Sequence, residues 1–224
     1  MDVLVKRGNQ KRVTLRIKDE NTLAVSAPAN FPTDEIDKII KENKAWINKK
    51  MAELAGFKAN YSLVYSFEQT IINGKIMTIY EAENSRSFVT EETVYVSDKA
   101  YPFFEKRRKE LIKIIKNYAD KRLRAAVSDV GTKLGVCPTD ISIKFIKGKR
   151  IWGKCDVDKK IIIDSRVVML PLRLQRYVIL HEFAHLAVFD HSKRFWEIVE
   201  KYVPDYKTCR NELKQYSFLR DIYC

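Results

Sequence analysis

The sequence predicts a mixed α+β protein with a strand-rich first part and a more helical second part. Its 224 residues are 46% hydrophobic and 11% aromatic, which is ordinary for a globular chain that buries a core. Apolar residues alternate with polar ones through much of the first hundred residues, as in strands. From Tyr101 they recur at helical spacing instead. We therefore predict a strand-rich amino-terminal domain with one helix over residues 1–100 and a second domain over residues 101–224.

Strand pairs and one helix are predicted in the first region. A helix is expected from Thr33, because acidic residues fill its first turn and an apolar stripe follows. Asn73-Gly74 lies between two apolar runs and is a strong hairpin signal. The segment SFVTEETVYVS suggests another strand pair. An earlier hairpin is predicted from alternating apolar positions, namely Val13, Leu15, Ile17, Leu23 and Val25.

The second region begins with a long amphipathic helix whose outer face is basic. Gly131 is a candidate break in this helix, and Gly135 fits its carboxy-terminal cap. Pro171 is expected to open a further helix that runs through a group of histidines. Between these helices we predict two strands, separated by the segment GKRIWGKCDVD: ISIKFI and KIIIDSRVVML.

The charge is strongly positive and uneven. The chain carries 42 Lys and Arg against 29 Asp and Glu, a net charge of +13, and residues 101–150 hold fourteen basic against five acidic residues, a balance of +9. Such a field attracts polyanions. The basic helix around residues 106–124 is therefore a candidate nucleic-acid surface, and a solvated helix face that only keeps the protein in solution is the competing interpretation.

Composition also bounds the cellular setting. No apolar run approaches the roughly 20 residues needed to cross a bilayer, so no membrane association is expected. The start of the chain, MDVLVKRG, lacks the features of a secretory signal, and we predict a cytoplasmic location. The four cysteines are far apart and form no CxxC pair, so we interpret them as reduced thiols: Cys137, Cys155, Cys209 and Cys224.

All three histidines of the chain lie in the segment HEFAHLAVFDH, residues 181–191. His181 and His185 are four residues apart, so on a helix they share one face and can reach a single ion. Glu182 lies beside the first, where its carboxylate can approach a water on that ion. This HExxH arrangement predicts two imidazoles that bind zinc and a glutamate that acts as general base.

A catalytic zinc site needs a third protein ligand, and His191 is the leading candidate. On a straight helix its side chain would turn about 240° from His185, so the helix must end and the chain must double back. Asp190 is expected to help by adopting the left-handed conformation, and Ser192 to cap the next helix. Two acidic residues of that helix are the alternative third ligands, Glu197 and Glu200.

The segment HEFAHLAVFDHSKRFWEIVEKYVPDYK resembles the YgjP-like family of zinc metallopeptidases, relatives of the SprT-like proteases, whose members carry a HELAH-L-x4-H-S-x2-FW segment. WGKCD at 152–156 is similar to the family's WGSC segment, and IIIDSRVVMLP to its strand before the active helix. VTLRI, SAPANF and AWI resemble its amino-terminal region, so the likeness covers most of the chain. Lys154 replaces the usual Ser, and Asp190 stands where Asn is common.

The resemblance implies a small zincin-like catalytic domain with one Zn²⁺ on His181, His185 and His191 and with Glu182 as base. The predicted function is zinc-dependent hydrolysis of peptide bonds in a peptide or protein substrate. The base acts on a zinc-bound water. By the same resemblance, an extended substrate would pair with an edge strand within IIIDSRVV. An oxyanion-stabilising residue is not identified, since Tyr206 is only one of eleven tyrosines.

Three alternatives remain at this stage. A SprT-like protease could be tethered to nucleic acid through the basic helix, although the zinc ribbon of many such proteins is absent from this sequence. A metal-dependent hydrolase could act on small anionic substrates such as nucleotides. A purely structural zinc site is the third, and Glu182 argues against it because a closed site has no use for that carboxylate. The sequence does not indicate an oligomeric state. Three aromatic residues are predicted as core or pocket wall: Trp152, Phe195 and Trp196.

Overall fold

The structure, a computed structural model, describes residues 1–146 and 151–223 and has the mixed α+β composition that the sequence predicts. The chain divides into two compact units, Met1–Ser62 and Leu63–Cys224. The change from strands to helices near residue 101 lies inside the second unit. Within the described ranges, no helix has both the length and the apolarity required to cross a membrane.

The first unit is a three-stranded sheet with two helices. The sheet has the order β1-β3-β2, with β1 parallel and β2 antiparallel to β3, so the predicted first hairpin is present. Alternate residues of β3, Leu23 and Val25, are buried with Ile36 and Ile47 of the helices in one core. The elements are β1 Asp2–Gly8, β2 Thr14–Ile17, β3 Thr22–Pro28, α1 Thr33–Glu42 and α2 Lys44–Asn60.

The second unit opens with a four-stranded sheet of order β4-β5-β7-β6. The turn between its first two strands has positive φ at Asn73 (53°) and Gly74 (79°), as the Asn-Gly pair predicts for a tight hairpin. The segment SFVTEETVYVS forms the antiparallel pair β6 and β7, also as predicted. These elements are α3 Ser62–Tyr65, β4 Gln69–Ile72, β5 Lys75–Ala82, β6 Phe88–Val89 and β7 Thr93–Ser97.

The β4–β5 hairpin is hydrogen-bonded to the carboxy-terminal half of the chain. The Asn73 N–H donates to the Val168 carbonyl at 2.9 Å, and the Gly74 N–H donates to the Met169 carbonyl at 2.9 Å. The Gln175 side-chain amide donates to Asn73 Oδ1 at 2.9 Å. Because these bonds satisfy backbone groups on both sides, the sheet over residues 69–97 belongs to the same compact unit as the histidine segment.

A long helix, α4 Phe104–Leu134, follows the sheet and contacts both it and the elements that come later. It ends at Gly135, whose φ of 64° is the left-handed cap that the sequence predicts. Gly131 does not break the helix. Its small size serves packing instead, because a Cβ at Gly131 would lie 3.2 Å from the ring of Phe183.

The second sheet of this unit has the order β8-β10-β9, with β10 parallel to β8 and antiparallel to β9. The histidine helix packs against it. The predicted strand KIIIDSRVVML is strand only up to Asp164. Its carboxylate accepts a hydrogen bond from the Arg166 N–H and starts a 3-10 helix, Ser165–Met169. Residues 147–150, part of the predicted connecting segment, lie outside the described residues. The strands are β8 Asp140–Lys144, β9 Gly153–Cys155 and β10 Lys160–Asp164.

The histidine helix, α5 Leu172–Ala184, follows Pro171 as predicted and packs against α4 and against strands β9 and β10. Helices α6 and α7 also contact it. The remaining helices are α6 Lys193–Tyr202, α7 Tyr206–Glu212, a 3-10 helix Gln215–Phe218 and α8 Leu219–Ile222. Cys137, Cys155 and Cys209 are free thiols, and Cys224 lies outside the described residues.

Candidate metal centre and active site

Helix α5 carries the first two histidines and ends where the second one stands. His181 lies in its last turn, and His185 is the C-cap residue directly after Ala184, with φ −66° and ψ −18°. Beyond it the chain continues in tight turns, since the Leu186 and Ala187 N–H groups donate to the carbonyls of Phe183 and Ala184. The helix therefore stops early enough for the chain to double back toward its own histidines.

The return of the chain does not use a left-handed residue at position 190. Positive φ among the described non-glycine residues is confined to Phe67, Asn73 and Lys159, so the predicted conformation of Asp190 is wrong. The Asp190 carboxylate instead accepts a hydrogen bond from the Ser192 N–H at 3.1 Å and so stabilises an Asx turn. Ser192 stands at the start of α6 as predicted, but its side chain makes no capping bond there.

The three histidine rings converge. Ring centroids are separated by 5.0 Å for His181 and His185, 5.0 Å for His181 and His191, and 4.8 Å for His185 and His191. One ring nitrogen from each lies within 4.8 Å of the other two. Of the residues that the structure describes, these form the one group of three or more His, Cys, Asp or Glu with this geometry.

The ring orientations suit a shared cation. His181 Nε2 and His191 Nε2 are 3.1 Å apart. Two imidazole nitrogens on one tetrahedral zinc ion are about 3.3 Å apart, given Zn–N bonds of about 2.0 Å. His185 Nδ1 lies 3.0 Å from the Val188 carbonyl, and a hydrogen bond to that carbonyl leaves the Nε2 lone pair of His185 free to bind a metal. This donor set fits zinc.

Burial keeps the first two imidazoles neutral. Burial, together with the neighbouring His185 and His191, lowers the pKa of His181 to about 3. Burial also lowers the pKa of His185, partly opposed by its hydrogen bond to Val188. A neutral imidazole is the form that binds metals, so protons compete weakly for this site.

Phe195 of α6 packs beneath the three rings. It is fully buried, and its ring centroid lies 4.9 Å from His181, 4.5 Å from His185 and 4.8 Å from His191. Its neighbour Trp196 stacks on Tyr206 with ring centroids 5.0 Å apart. Phe195, on the helix that follows His191, therefore packs against all three members of the histidine cluster.

Glu182 points into the same site. Its side chain is only 7% exposed, and burial raises the pKa of its carboxyl to about 8. The alternative acidic ligands lie elsewhere: Glu197 is well exposed and pairs with Lys193 on α6, and Glu200 is exposed. The structure therefore brings together the three histidines and Glu182, and it leaves both alternatives outside.

The four side chains line a cleft of about 460 Å³. Trp152, predicted as core or wall, and Cys155 are also in its wall. Burial and the nearby Glu182 raise the pKa of the Cys155 thiol, which disfavours the thiolate that a nucleophile requires. Other wall residues were not identified from sequence, namely Gly153, Tyr177, Phe189, Leu213 and Arg220. Two of them carried a signal in the sequence: Tyr177 lies one turn before His181 on the same helix face, and Gly153 belongs to the WGKCD segment.

Comparison with known proteins identifies a family for this chain. The family described as YgjP-like, metallopeptidase domain, matches residues 11–216. The metallopeptidase zymogen of Pyrococcus abyssi abylysin is 23% identical, with 40% of this chain and 90% of that chain covered and a TM-score of 0.36. The metallopeptidase zymogen of Methanocaldococcus jannaschii jannalysin is 21% identical, with coverage of 41% and 93% and a TM-score of 0.37. No curated protein matches the chain.

The family match spans most of the chain, including the strand-rich part, and supports a metallopeptidase function for the domain that carries the histidine cleft. Such a function implies peptide or protein substrates. The chain belongs to the YgjP-like metallopeptidase family.

Proposed function

We propose that the protein is a zinc-dependent, zincin-like metallopeptidase whose zinc ion is held by His181, His185 and His191 and whose general base is Glu182. The observation that carries this proposal is the convergence of three imidazoles from two sides of a turn beside one buried carboxyl group. These are all the histidines of the chain, and their grouping around one point is best explained by a bound metal ion. The open cleft in front of them favours a catalytic over a closed structural site.

A zinc ion held by the three histidines would supply Lewis-acid chemistry for polarising a carbonyl and for activating a water near neutral pH. Glu182 accepts a proton from the attacking water as its oxygen bonds to the carbonyl carbon. The same carboxyl group then donates that proton to the amide nitrogen as the C–N bond breaks. Its pKa of about 8 belongs to the metal-free protein, because a nearby cation favours the charged carboxylate.

The strand order of the sheet β8-β10-β9 favours a different edge strand for substrate binding from the one expected from the sequence. Strand β10, which contains the first half of the segment proposed from sequence to pair with substrate, is central and hydrogen-bonds to β8 on one side and to β9 on the other. It has no free edge to offer. Strand β9 is at the edge of this sheet, and all three of its residues line the cleft. An extended peptide would therefore add to β9, with its scissile bond facing Glu182.

The test is hydrolysis by zinc-loaded protein of denatured casein and of a quenched fluorescent peptide library, with and without 1,10-phenanthroline. Nucleoside triphosphates are assayed in parallel, since a hydrolase of small anions is the competing function. We expect chelator-sensitive cleavage of peptides and no release of phosphate. Phosphate release without peptide cleavage would favour the competing function over a peptidase. Peptide hydrolysis that persists with the chelator would show that the reaction does not require the metal.

A further inference from the structure

Strand β9 meets the candidate base at a glycine. A Cβ added to Gly153 would lie 2.7 Å from Glu182 Cγ and 2.9 Å from both Cδ and Oε1. Distances below 3.0 Å are not found between real Cβ atoms and their neighbours, so any side chain at this position displaces something. The bare backbone of Gly153 thus occupies the place next to the carboxyl group where every other residue type would collide with it.

Backbone conformation does not explain this glycine. The described glycines with positive φ are Gly74 and Gly135, and Gly153 is not among them. Within a strand, glycine weakens the element and often marks a close approach of another group. The reason for glycine at position 153 is therefore space, and Glu182 is the residue that uses it.

The orientation of the strand agrees with this role. Gly153 and Cys155 are opposite Ile163 and Ile161 of β10, so both belong to the same face of the sheet, and Lys154 belongs to the other. Cys155 lines the same cleft as Glu182, where burial and that carboxylate raise the pKa of its thiol. The face of β9 toward α5 thus consists of one residue without a side chain and one small thiol, beside the carboxyl group.

Strand β9 is also held in place behind this contact. The Asp164 N–H donates to the Trp152 carbonyl at 2.8 Å, directly before Gly153. The Asp164 carboxylate is buried and accepts two 2.7 Å hydrogen bonds from the Arg166 guanidinium. Because the strand cannot easily retreat, a methyl group at position 153 would move the Glu182 side chain instead.

We propose that Gly153 is a positioning residue that sets the location of the Glu182 carboxylate by leaving room for it against the edge strand. Its consequence for catalysis rests on the proposed function above, in which Glu182 is the general base. The contact itself does not depend on that function, because it is a matter of packing between β9 and α5.

The variant that tests this is Gly153→Ala, with Gly56→Ala as the matched control. The control adds the same methyl group at a helical glycine with nothing within 4 Å of its Cβ position. For zinc-loaded Gly153→Ala we expect kcat on the peptide library to fall by about a hundredfold, the loss typical of a misplaced catalytic group. KM and zinc content stay close to wild type, and Gly56→Ala matches wild type in all three.

Crystal structures of zinc-loaded wild type and Gly153→Ala supply a measurement that does not require activity. We expect the Glu182 carboxylate to be displaced in the variant while the three histidines keep their positions. An unmoved carboxylate, or a kcat equal to wild type in a protein that cleaves peptides, would overturn the proposal. If wild type cleaves no peptide, the proposed function fails, and the position of Glu182 alone decides whether Gly153 sets it.

A second variant covers the case in which Gly153→Ala does not fold. The double variant Gly153→Ala/Glu182→Ala removes the atoms that the methyl group would meet, so we expect it to fold and to melt close to Glu182→Ala alone. If the double variant also fails to fold, glycine is required at position 153 for a reason other than Glu182, and the inference is wrong.

Discussion

Burial shifts the pKa values of His181 and Glu182 in opposite directions, because each loses water around its charged form. The pKa of His181 falls to about 3 and that of Glu182 rises to about 8. Without a metal, both side chains are therefore neutral at neutral pH. A cation among the imidazoles reverses the balance for Glu182, since its charge stabilises the carboxylate. Burial thus keeps His181 in the neutral form that binds metals. It also makes the protonation state of Glu182 depend on whether a metal is bound.

Replacing Glu182 with glutamine keeps the shape of the side chain and removes its ability to take a proton. We expect Glu182→Gln to bind zinc as wild type does and to lose at least about a hundredfold in kcat, the lower end for a general base. Peptide hydrolysis and zinc stoichiometry are measured on the same preparation. Wild-type turnover in this variant would show that Glu182 is not the base.

The pKa of Glu182 also predicts how metal-free protein responds to pH. Between its ordinary value of 4.5 and its folded value of about 8, the folded state keeps a proton that the unfolded state has lost. Raising the pH therefore favours unfolding. The lowered pKa of His181 has the opposite effect on stability, but only below pH 6.5, the ordinary pKa of histidine. Between pH 6.5 and about 8, the pH dependence therefore reports Glu182 without a contribution from His181.

Denaturant unfolding of chelator-treated protein across this interval measures the effect. We expect the free energy of unfolding to decrease with rising pH in wild type, with a slope of at most one proton. Glu182→Gln should show a flatter dependence, because its side chain does not titrate. Parallel curves for the two proteins would indicate that the raised pKa is not a property of the folded chain.

At the scale of elements, a buried ion pair connects two strands with the last helix, which contributes to the cleft. The side chains of Asp164 and Arg166 are 0% and 1% exposed and are joined by two hydrogen bonds. Arg166 also donates to the carbonyls of Arg220 and Ile146, and Asp164 accepts from the Ile146 N–H. The pair thus connects the ends of β8 and β10 with the last helix, whose Arg220 lines the cleft.

Removing one partner of this pair should be costly. Asp164→Ala leaves a guanidinium buried without its carboxylate, and we expect a loss of about 3–5 kcal/mol in the free energy of unfolding. Glu197→Ala is the control, because it breaks an exposed ion pair on α6 and should change the stability little. Urea unfolding of both variants gives the comparison. Equal effects would mean that the buried pair does not hold the two strands and α8 together.

Sequence periodicity predicted most strands and helices but did not reveal how the second sheet ends. The apolar run after Asp164 was assigned to a strand, because a short buried run does not distinguish strand from helix. What decides is a local bond from the Arg166 N–H to the Asp164 carboxylate. Strand β9 is three residues long and was not predicted, since so short a strand has no measurable period.

For the candidate site, the spacing predicted that His181 and His185 share a helix face, because a helix turn brings residues four apart to one side, and the structure brings their rings together with that of His191. The sequence predicted that the chain doubles back at His191, but not how it does so. The turn uses a hydrogen bond from the Ser192 N–H to the Asp190 carboxylate, which depends on the local path of the chain. The sequence placed Gly153 in the WGKCD segment but did not indicate which residue it contacts. Its contact with Glu182 joins residues 29 positions apart, and only the packing of β9 on α5 creates it.

At the scale of the whole molecule, the net charge is +13, and the most basic region includes α4, where ion pairs partly neutralise it. Along α4, basic side chains pair with acidic ones one turn away, as Arg124 does with Asp120 and Lys133 with Asp129. This pattern is typical of a solvated helix face. Nucleic-acid binding through residues 106–124 stays a prediction that rests on charge alone.

That prediction is tested with fluorescently labelled single-stranded and duplex DNA at several salt concentrations. Binding through phosphates should weaken steeply with salt, and reversing three exposed charges of α4 should abolish it: Lys109→Glu, Lys116→Glu and Lys121→Glu. The same substitutions should leave peptide hydrolysis unchanged. The absence of binding at low salt would leave the charge with no role beyond solubility.

The central claim is that three imidazoles hold one metal ion, and metal analysis of purified protein tests it most directly. Wild type and His191→Ala are expressed with zinc, dialysed and analysed by mass spectrometry for metal per chain, with circular dichroism as the check on folding. We expect about one zinc per chain in wild type, as a single three-histidine site requires, and a large loss in the folded variant. Stoichiometric zinc in His191→Ala, or none in wild type, would contradict the account.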